Sequence, residues 1–262
     1  MIAYAGERSD LFFLQPEGGE AVFGSEVRSL LFYNNDTEYI VLNDLASLPA
    51  ARATTTTRTR STLRAMHADE RTINPPDVLY GSFADEVPQI KLHENVPLPV
   101  RMQPLVYTYV VRYGFEYGRQ HVALARGALA GMAESVYLRD GVTGDEGATI
   151  LFDCALTDDC ARAEVRSFGV PGFPDEYYGR ERRARDERRY TLNLEVRLTN
   201  GKLKEFVFDV TEQLRRQPRG GVIEVGGIRV EDGDNMNNSG FDVDVDDWGE
   251  YTDIDLPVGP AN

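Results

Sequence analysis

The stretch YTLNLEVRLTNGKLKEFVFDV, residues 190–210, narrows the possible folds more than any other part of the chain. Leu192, Leu194, Val196 and Leu198 alternate with Asn193, Glu195 and Arg197. A period of two places one set of side chains on each face of a β-strand. Thr199–Lys202, TNGK, then reads as a two-residue hairpin turn leading to Phe206 and Phe208 on the returning strand. A helix would scatter these apolar residues around its whole circumference, so the pattern commits this region to an antiparallel hairpin.

Similar runs recur after residue 100: PLVYTYVVRYGF, GATILFD, RAEVRSFGV, KEFVFDVTEQL and GVIEVGGIRV. Short strands at regular spacing with turn residues between them predict an all-β fold, and a sandwich more readily than a barrel of helices and strands. The segment HVALARGALAGMAESVYL stays open between helix and strand, because Ala and Leu suit a helix whereas Gly127 and Gly131 weaken one.

In the first half, LFFL followed by QPEGGEAVFG predicts a hairpin, and VRSLLFYNNDTEYIVL predicts two strands around an Asn/Asp turn. ARATTTTRTRSTLRA reads as an exposed or edge strand protected by charge rather than as a basic anion-binding strand. Prolines 75, 76, 88, 97 and 99 mark a connection, which places a domain boundary near 95–103 and predicts β-sandwich domains over residues 1–98 and 99–262.

The 262 residues carry 43 Asp plus Glu against 28 Lys plus Arg, a formal charge of −15, which argues against wrapping a phosphate backbone. The arginine-rich GRERRARDERRY (Arg180, Arg182, Arg183, Arg185, Arg188, Arg189) is interleaved with acids and reads as a solvated mixed-charge insertion. No apolar run approaches a membrane span of about 18 residues. The opening MIAYAGERSD lacks the features of a signal peptide, which leaves a cytosolic protein or one whose targeting segment lies outside this chain.

Signals for chemistry are sparse. His67, His93 and His121 show no metal-ligand spacing with Cys154 or Cys160, and the spacing CALTDDC allows either a disulfide or two free thiols. No nucleophile elbow, phosphate-binding loop or zinc-protease motif occurs, and the glycines of GGVIEVGG read as turns flanking a strand. A glycosidase would need two carboxylates about 5–10 Å apart across a cleft, which sequence does not display. Asn235, Asn237, Ser239 and Asp246 imitate a calcium loop weakly: the first ligand is Asn, the last is Asp, and no helices flank them. Neither a metal nor another cofactor is expected.

The closing GFDVDVDDWGEYTDIDL places Phe241, Val243 and Val245 on one face and Asp242, Asp244 and Asp246 on the other. After Asp247 the parity changes, so that Trp248, Thr252, Ile254 and Leu256 share a face, as a bulge would produce. Such a ribbon either completes the protein's own second sandwich or is donated to a neighbour; Trp248 and the fixed bulge favour self-completion.

PLVYTYVVRY, ARGALAGMAESVYL, RSFGV, LNLEVRLTNGKLKEFVFDVTEQL and SGFDVDVDDWGEYTDIDL, together with YNNDTEYIV and PDVLYGS in the first half, resemble Bacteroidetes-type fimbrillin-related proteins, the tip- and anchor-like group that includes a domain of unknown function. The resemblance implies two tandem transthyretin-like (Greek-key) β-sandwich domains and a non-enzymatic surface adhesion role. It also implies export, a lipid anchor at the outer membrane, and other fimbrial subunits as partners, joined by strand addition. Phe241, Val243, Val245, Trp248 and Ile254 are then the interaction residues; a lipobox cysteine is not found in this chain. The rival expectation is a carbohydrate- or calcium-dependent binding module with Tyr107, Tyr109, Tyr113, Tyr177 and Tyr178 as aromatic platforms.

Overall fold

A computed structural model of the chain describes residues 1–85, 87, 95–174 and 187–235. The strands are β1 (Ile2–Ala5), β2 (Arg8–Leu11), β3 (Ser29–Tyr33), β4 (Ile40–Asn43), β5 (Arg52–Thr55), β6 (Arg71–Ile73), β7 (Tyr80–Ala84) and β8 (Gln103–Pro104). The second half adds β9 (Tyr107–Tyr117), β10 (Val122–Ala133), β11 (Val136–Tyr137), β12 (Gly147–Leu156), β13 (Cys160–Ser167), β14 (Thr191–Leu198), β15 (Leu203–Asp209) and β16 (Gly221–Arg229). A six-residue helix α1 (Thr211–Arg216) joins β15 to β16, where the period-two reading had carried the strand through TEQL. The fold is all-β, as the sequence predicts.

The larger sheet runs β15-β14-β10-β12-β13-β9-β16, with β6 added to β12. It doubles over at β12, whose first residues pair with β10 and whose last two, Ala155 and Leu156, pair with β13. One core lies between the two halves, with Tyr109, Val111 and Tyr113 of β9 facing Leu192, Leu194 and Val196 of β14. All six are fully buried, at roughly 1.5–3 kcal/mol for each large apolar side chain.

The ambiguous segment around Gly127 is the long strand β10. At Gly127 a Cβ would come within 2.2 Å of the Phe152 ring and 2.7 Å of the Tyr113 hydroxyl, so the missing side chain is what lets Tyr113 cross the core. Gly131 has φ +84° and lies within the register shift between Leu129 and Met132, a backbone geometry that penalises other residues. Tertiary packing thus sets a strand where local propensity was undecided.

A second sheet, β2-β1-β3-β7-β8, and a third, β11-β5-β4, carry the first half. Two expectations change here. The opening hairpin is β1–β2 around Gly6, and residues 12–28 hold only an isolated bridge between Gln15 and Gly18. The two runs around YNNDTE are strands β3 and β4, as expected, and they join different sheets. The Thr-rich run supplies β5, which lies between β4 and β11 instead of at an edge, with Ala53 and Thr55 buried.

Strand pairing passes the proline-marked position near 98 at three places: β5 with β11, β6 with β12, and β7 with β8. A second core cluster does the same, joining Ile2, Leu31, Ala53 and Leu79 to Leu105, Val136, Leu138 and Phe168.

Candidate interaction site

The two ends of the larger sheet, β15 and β16, approach each other without pairing, and they are finished in opposite ways. β15 follows from the hairpin at Asn200–Gly201. The Gly201 N–H donates to Leu198 O (2.9 Å) and the Leu198 N–H to Lys202 O (2.8 Å), with Gly201 at φ +87°. These bonds define a three-residue loop with a glycine bulge, in place of the two-residue turn the sequence suggests. They also fix the phase of the ladder. Lys202, Lys204, Phe206 and Phe208 bond β14, whereas the backbone groups of Leu203, Glu205, Val207 and Asp209 point to the outer edge.

Among the described residues β15 ends the strand order. Its core-facing Phe206 and Phe208 are only half-buried, although Phe208 lies 6.4 Å from the Tyr113 ring and both pack on the main core. On its other face Val207 is 57% exposed. Among the described residues the core is therefore incompletely covered on the β15 side.

β16 runs parallel to β9, with Gly221, Ile223 and Val225 set against Tyr109, Val111 and Tyr113. Its outward residues meet two glutamine side chains. Gln217 accepts from Val222 N–H (2.6 Å) and donates to Val222 O (2.9 Å). Gln213 accepts from Glu224 N–H (2.9 Å) and donates to Glu224 O (2.9 Å). Further along, Lys204 Nζ donates to Arg229 O (3.3 Å). Lys204 also pairs with Asp234, whose carbonyl accepts from Asn200 Nδ2 (3.1 Å), so the chain leaves β16 tied to the start of β15.

A second polar feature is an open groove of about 610 Å³ lined by His67, Glu70, Arg71, Glu134, Glu146 and Arg188, among others. The Glu70 carboxylate is buried and accepts from Gly131 N–H (3.0 Å) and Thr149 Oγ1 (2.6 Å), and His67 Nδ1 lies 3.0 Å from it. The other ring nitrogen of His67 meets Thr191 Oγ1 at 2.9 Å. These contacts fasten the 56–70 segment across the outer sheet face, where Leu63 packs on Ala128 and Leu151. Arg58 and Arg60 fasten it again, reaching Asp153 at 3.1 and 2.9 Å. Burial raises the Asp153 pKa, but hydrogen bonds and charge from Arg60 and Arg58 outweigh it and hold the carboxyl below its ordinary value. Two arginines of the Thr/Arg stretch are thus paired with a half-exposed acid of the same chain.

Neither cysteine is bridged. Cys154 and Cys160 are free, and burial, with Asp153 beside it, pushes the Cys154 thiol up to about 12. A thiol held so far from ionisation is a poor nucleophile. Tyr109 and Tyr113 are core residues that donate to Gln217 O (3.0 Å) and Asn193 O (2.8 Å), so neither offers a platform for a sugar. Tyr107 donates to Pro104 O (2.8 Å) and lies beneath the Arg219 guanidinium.

Phe241, Val243, Val245, Trp248 and Ile254 lie outside the described residues, as do Asn237, Ser239, Asp246, Tyr177, Tyr178, His93 and Arg180, Arg182, Arg183 and Arg185. Asn235 closes the short helical turn Asp232–Asn235. Among the described residues no group of three or more His, Cys, Asp or Glu is placed to hold a metal ion, and no helix is long and apolar enough to cross a membrane. Sequence reading missed Gln213 and Gln217. Their signal is a pair of amides one helical turn apart, which means nothing until α1 is laid along a strand edge.

The family model described as "Domain of unknown function (DUF5119)" matches residues 3–153. Comparison with curated proteins gives no match. Among solved structures, one described as a "putative adhesin from Bacteroides ovatus ATCC 8483" superposes with a TM-score of 0.66 at 21% identity, covering 88% of this chain and 84% of its own. Another, a "putative adhesin from Bacteroides ovatus", gives 0.42 at 10% identity over 76% of this chain and 66% of its own. At these identities the first likeness is one of fold.

Proposed function

The chain belongs to the DUF5119 family, and from that membership and the geometry of the β15 edge we propose that it is a non-enzymatic cell-surface adhesion protein of the fimbrial-subunit kind. The observation that carries the proposal is the unfinished side of the larger sheet: outward backbone groups on β15, half-buried Phe206 and Phe208 beneath them, and no further strand among the described residues. Adding an extended strand there supplies both the missing hydrogen bonds and the missing apolar cover. The adhesin description of the structural neighbour supports a surface role.

In this proposal the two sandwich bodies, residues 1–98 and 99–262, follow a transthyretin-like order and act as one unit. The interacting segment is the ribbon bearing Phe241, Val243, Val245, Trp248 and Ile254, which completes the protein's own second sandwich. Other fimbrial subunits are the partners, and a lipid anchor outside residues 1–262 holds the assembly at the outer membrane. The carbohydrate-platform alternative loses Tyr109 and Tyr113 to the core.

Light scattering and thermal melting of the full chain and of a chain ending at Gly240 test the assembly claim. A stable full-length monomer with a destabilised truncation supports self-completion, and concentration-dependent ladders support donation. Unchanged size and unchanged melting after truncation overturn strand addition. Antibody labelling of intact cells tests the surface claim, which inaccessible protein overturns.

A further inference from the structure

We infer that strand addition to this fold is one-sided: β16 is shut by Gln213 and Gln217, which take the place of a neighbouring strand, and residues 241–247 of the same chain add at β15. The inference rests on the proposal that the closing ribbon joins a sheet edge, and it names the edge.

The closure follows from parallel-sheet geometry. In a parallel ladder the N–H and C=O of one residue point to the same side, so Gly221, Ile223 and Val225 face β9 while Val222 and Glu224 face outward. Each of those two outward residues has its donor and its acceptor taken by one primary amide, a neutral side-chain group that presents N–H and C=O in one plane as a peptide does. Gln213 lies on α1 and Gln217 is the residue that follows its C-terminus, four positions on, and Val222 and Glu224 are two apart on β16. One helical turn rises about 5.4 Å and two strand residues span about 6.6 Å, close enough for both amides to engage at once. Beyond the register shift between Val225 and Ile228, Arg229 O takes Lys204 Nζ. An arriving strand would have to displace all of these contacts.

β15 has no such cover in the described structure. Its outward residues, Leu203, Glu205, Val207 and Asp209, match the phase set by the Gly201 bulge. The occupant is indicated by position and pattern. The chain passes Asp234 fixed to Asn200 and Lys204 at the start of β15, so the residues that follow begin beside that edge. β15 is seven residues long, and 241–246 alternates apolar and acidic over six residues before Asp247 breaks the pattern, so the run is about the length of the edge. Laid along β15, such a run turns Phe241, Val243 and Val245 toward Phe206 and Phe208 and turns its aspartates to solvent.

Amide hydrogen exchange by NMR on the full chain tests this. The Glu205 and Val207 amides are expected to exchange about a hundredfold more slowly than in a free chain, as paired amides do when exchange needs local opening. Val243→Pro is expected to release them, and dilution is expected to leave them unchanged. Gln213→Ala with Gln217→Ala is expected to release the Val222 and Glu224 amides while Glu205 and Val207 stay protected. Free exchange at Glu205 and Val207 in the full chain overturns the inference, as does protection at Val222 and Glu224 that survives loss of both glutamines. If Val243→Pro releases amides on another strand, the edge is wrong while the ribbon proposal stands. If it releases none anywhere, the ribbon proposal itself fails. Protection that fades on dilution assigns the strand to another copy and overturns the intramolecular assignment.

Discussion

Asp153 shows how single residues hold this fold. It sits opposite Arg126 across β10 and β12, and Arg58 and Arg60 reach it from the overlying segment. The Arg60 side chain is only 9% exposed, so removing the carboxylate strands a nearly buried guanidinium. Asp153 itself is about half exposed, and solvent screening keeps the cost modest. Asp153→Ala is expected to lower stability by about 1–2 kcal/mol in urea melts at neutral pH. The pH dependence has a definite sign. The folded pKa is depressed, so the unfolded state binds more protons, and the stabilisation is complete above the ordinary carboxylate value of about 3.9. It is lost as pH falls through the lower folded value. Melts of wild type and Asp153→Asn across pH 7 to 3 are expected to converge at the acid end, and a constant gap refutes the assignment.

Among the elements, the β14–β15 hairpin has the most direct dependence on one residue. Gly201 adopts φ +87° with open space around the position a Cβ would take, so a side chain there meets backbone strain and nothing else. Gly201→Ala is expected to cost about 1–2 kcal/mol, whereas Gly201→Asn, which tolerates the left-handed region, costs less. Equal losses for the two variants in thermal melts would show that strain is not the cause. The same bulge sets the phase of β15, so altering it also changes which amides face the outer edge. Alternation alone shows which side chains share a face; the exact turn decides which backbone groups are left over.

For the whole molecule, the pairings across position 98 matter most. β5 closes on β11, β6 on β12 and β7 on β8, and one core cluster mixes residues from both sides. Residues 1–98 alone would lose the partners of three strands and expose Ala53, Leu79 and their neighbours. That fragment is expected to remain unfolded by circular dichroism, and the full chain is expected to melt in a single transition seen alike by far-ultraviolet and tyrosine signals. Two separated transitions, or a folded fragment, would show that the bodies stand independently.

Sequence by itself determined the all-β class, the β14–β15 hairpin, most strands after residue 100 and the weakness of every catalytic or metal signal, because a period of two is a local property that each run carries on its own. It left β10 between helix and strand, read the Thr-rich run as an exposed or edge strand and shortened the Gly201 loop by a residue. Those choices were decided by contacts between residues far apart in the chain: Phe152 and Tyr113 against Gly127, β11 beside β5, Arg58 and Arg60 on Asp153. The contrast between the two sheet ends was equally out of reach. Gln213 and Gln217 become a surrogate strand only because tertiary packing lays α1 along β16, and an amide's partner is fixed by where it points rather than by its neighbours in sequence.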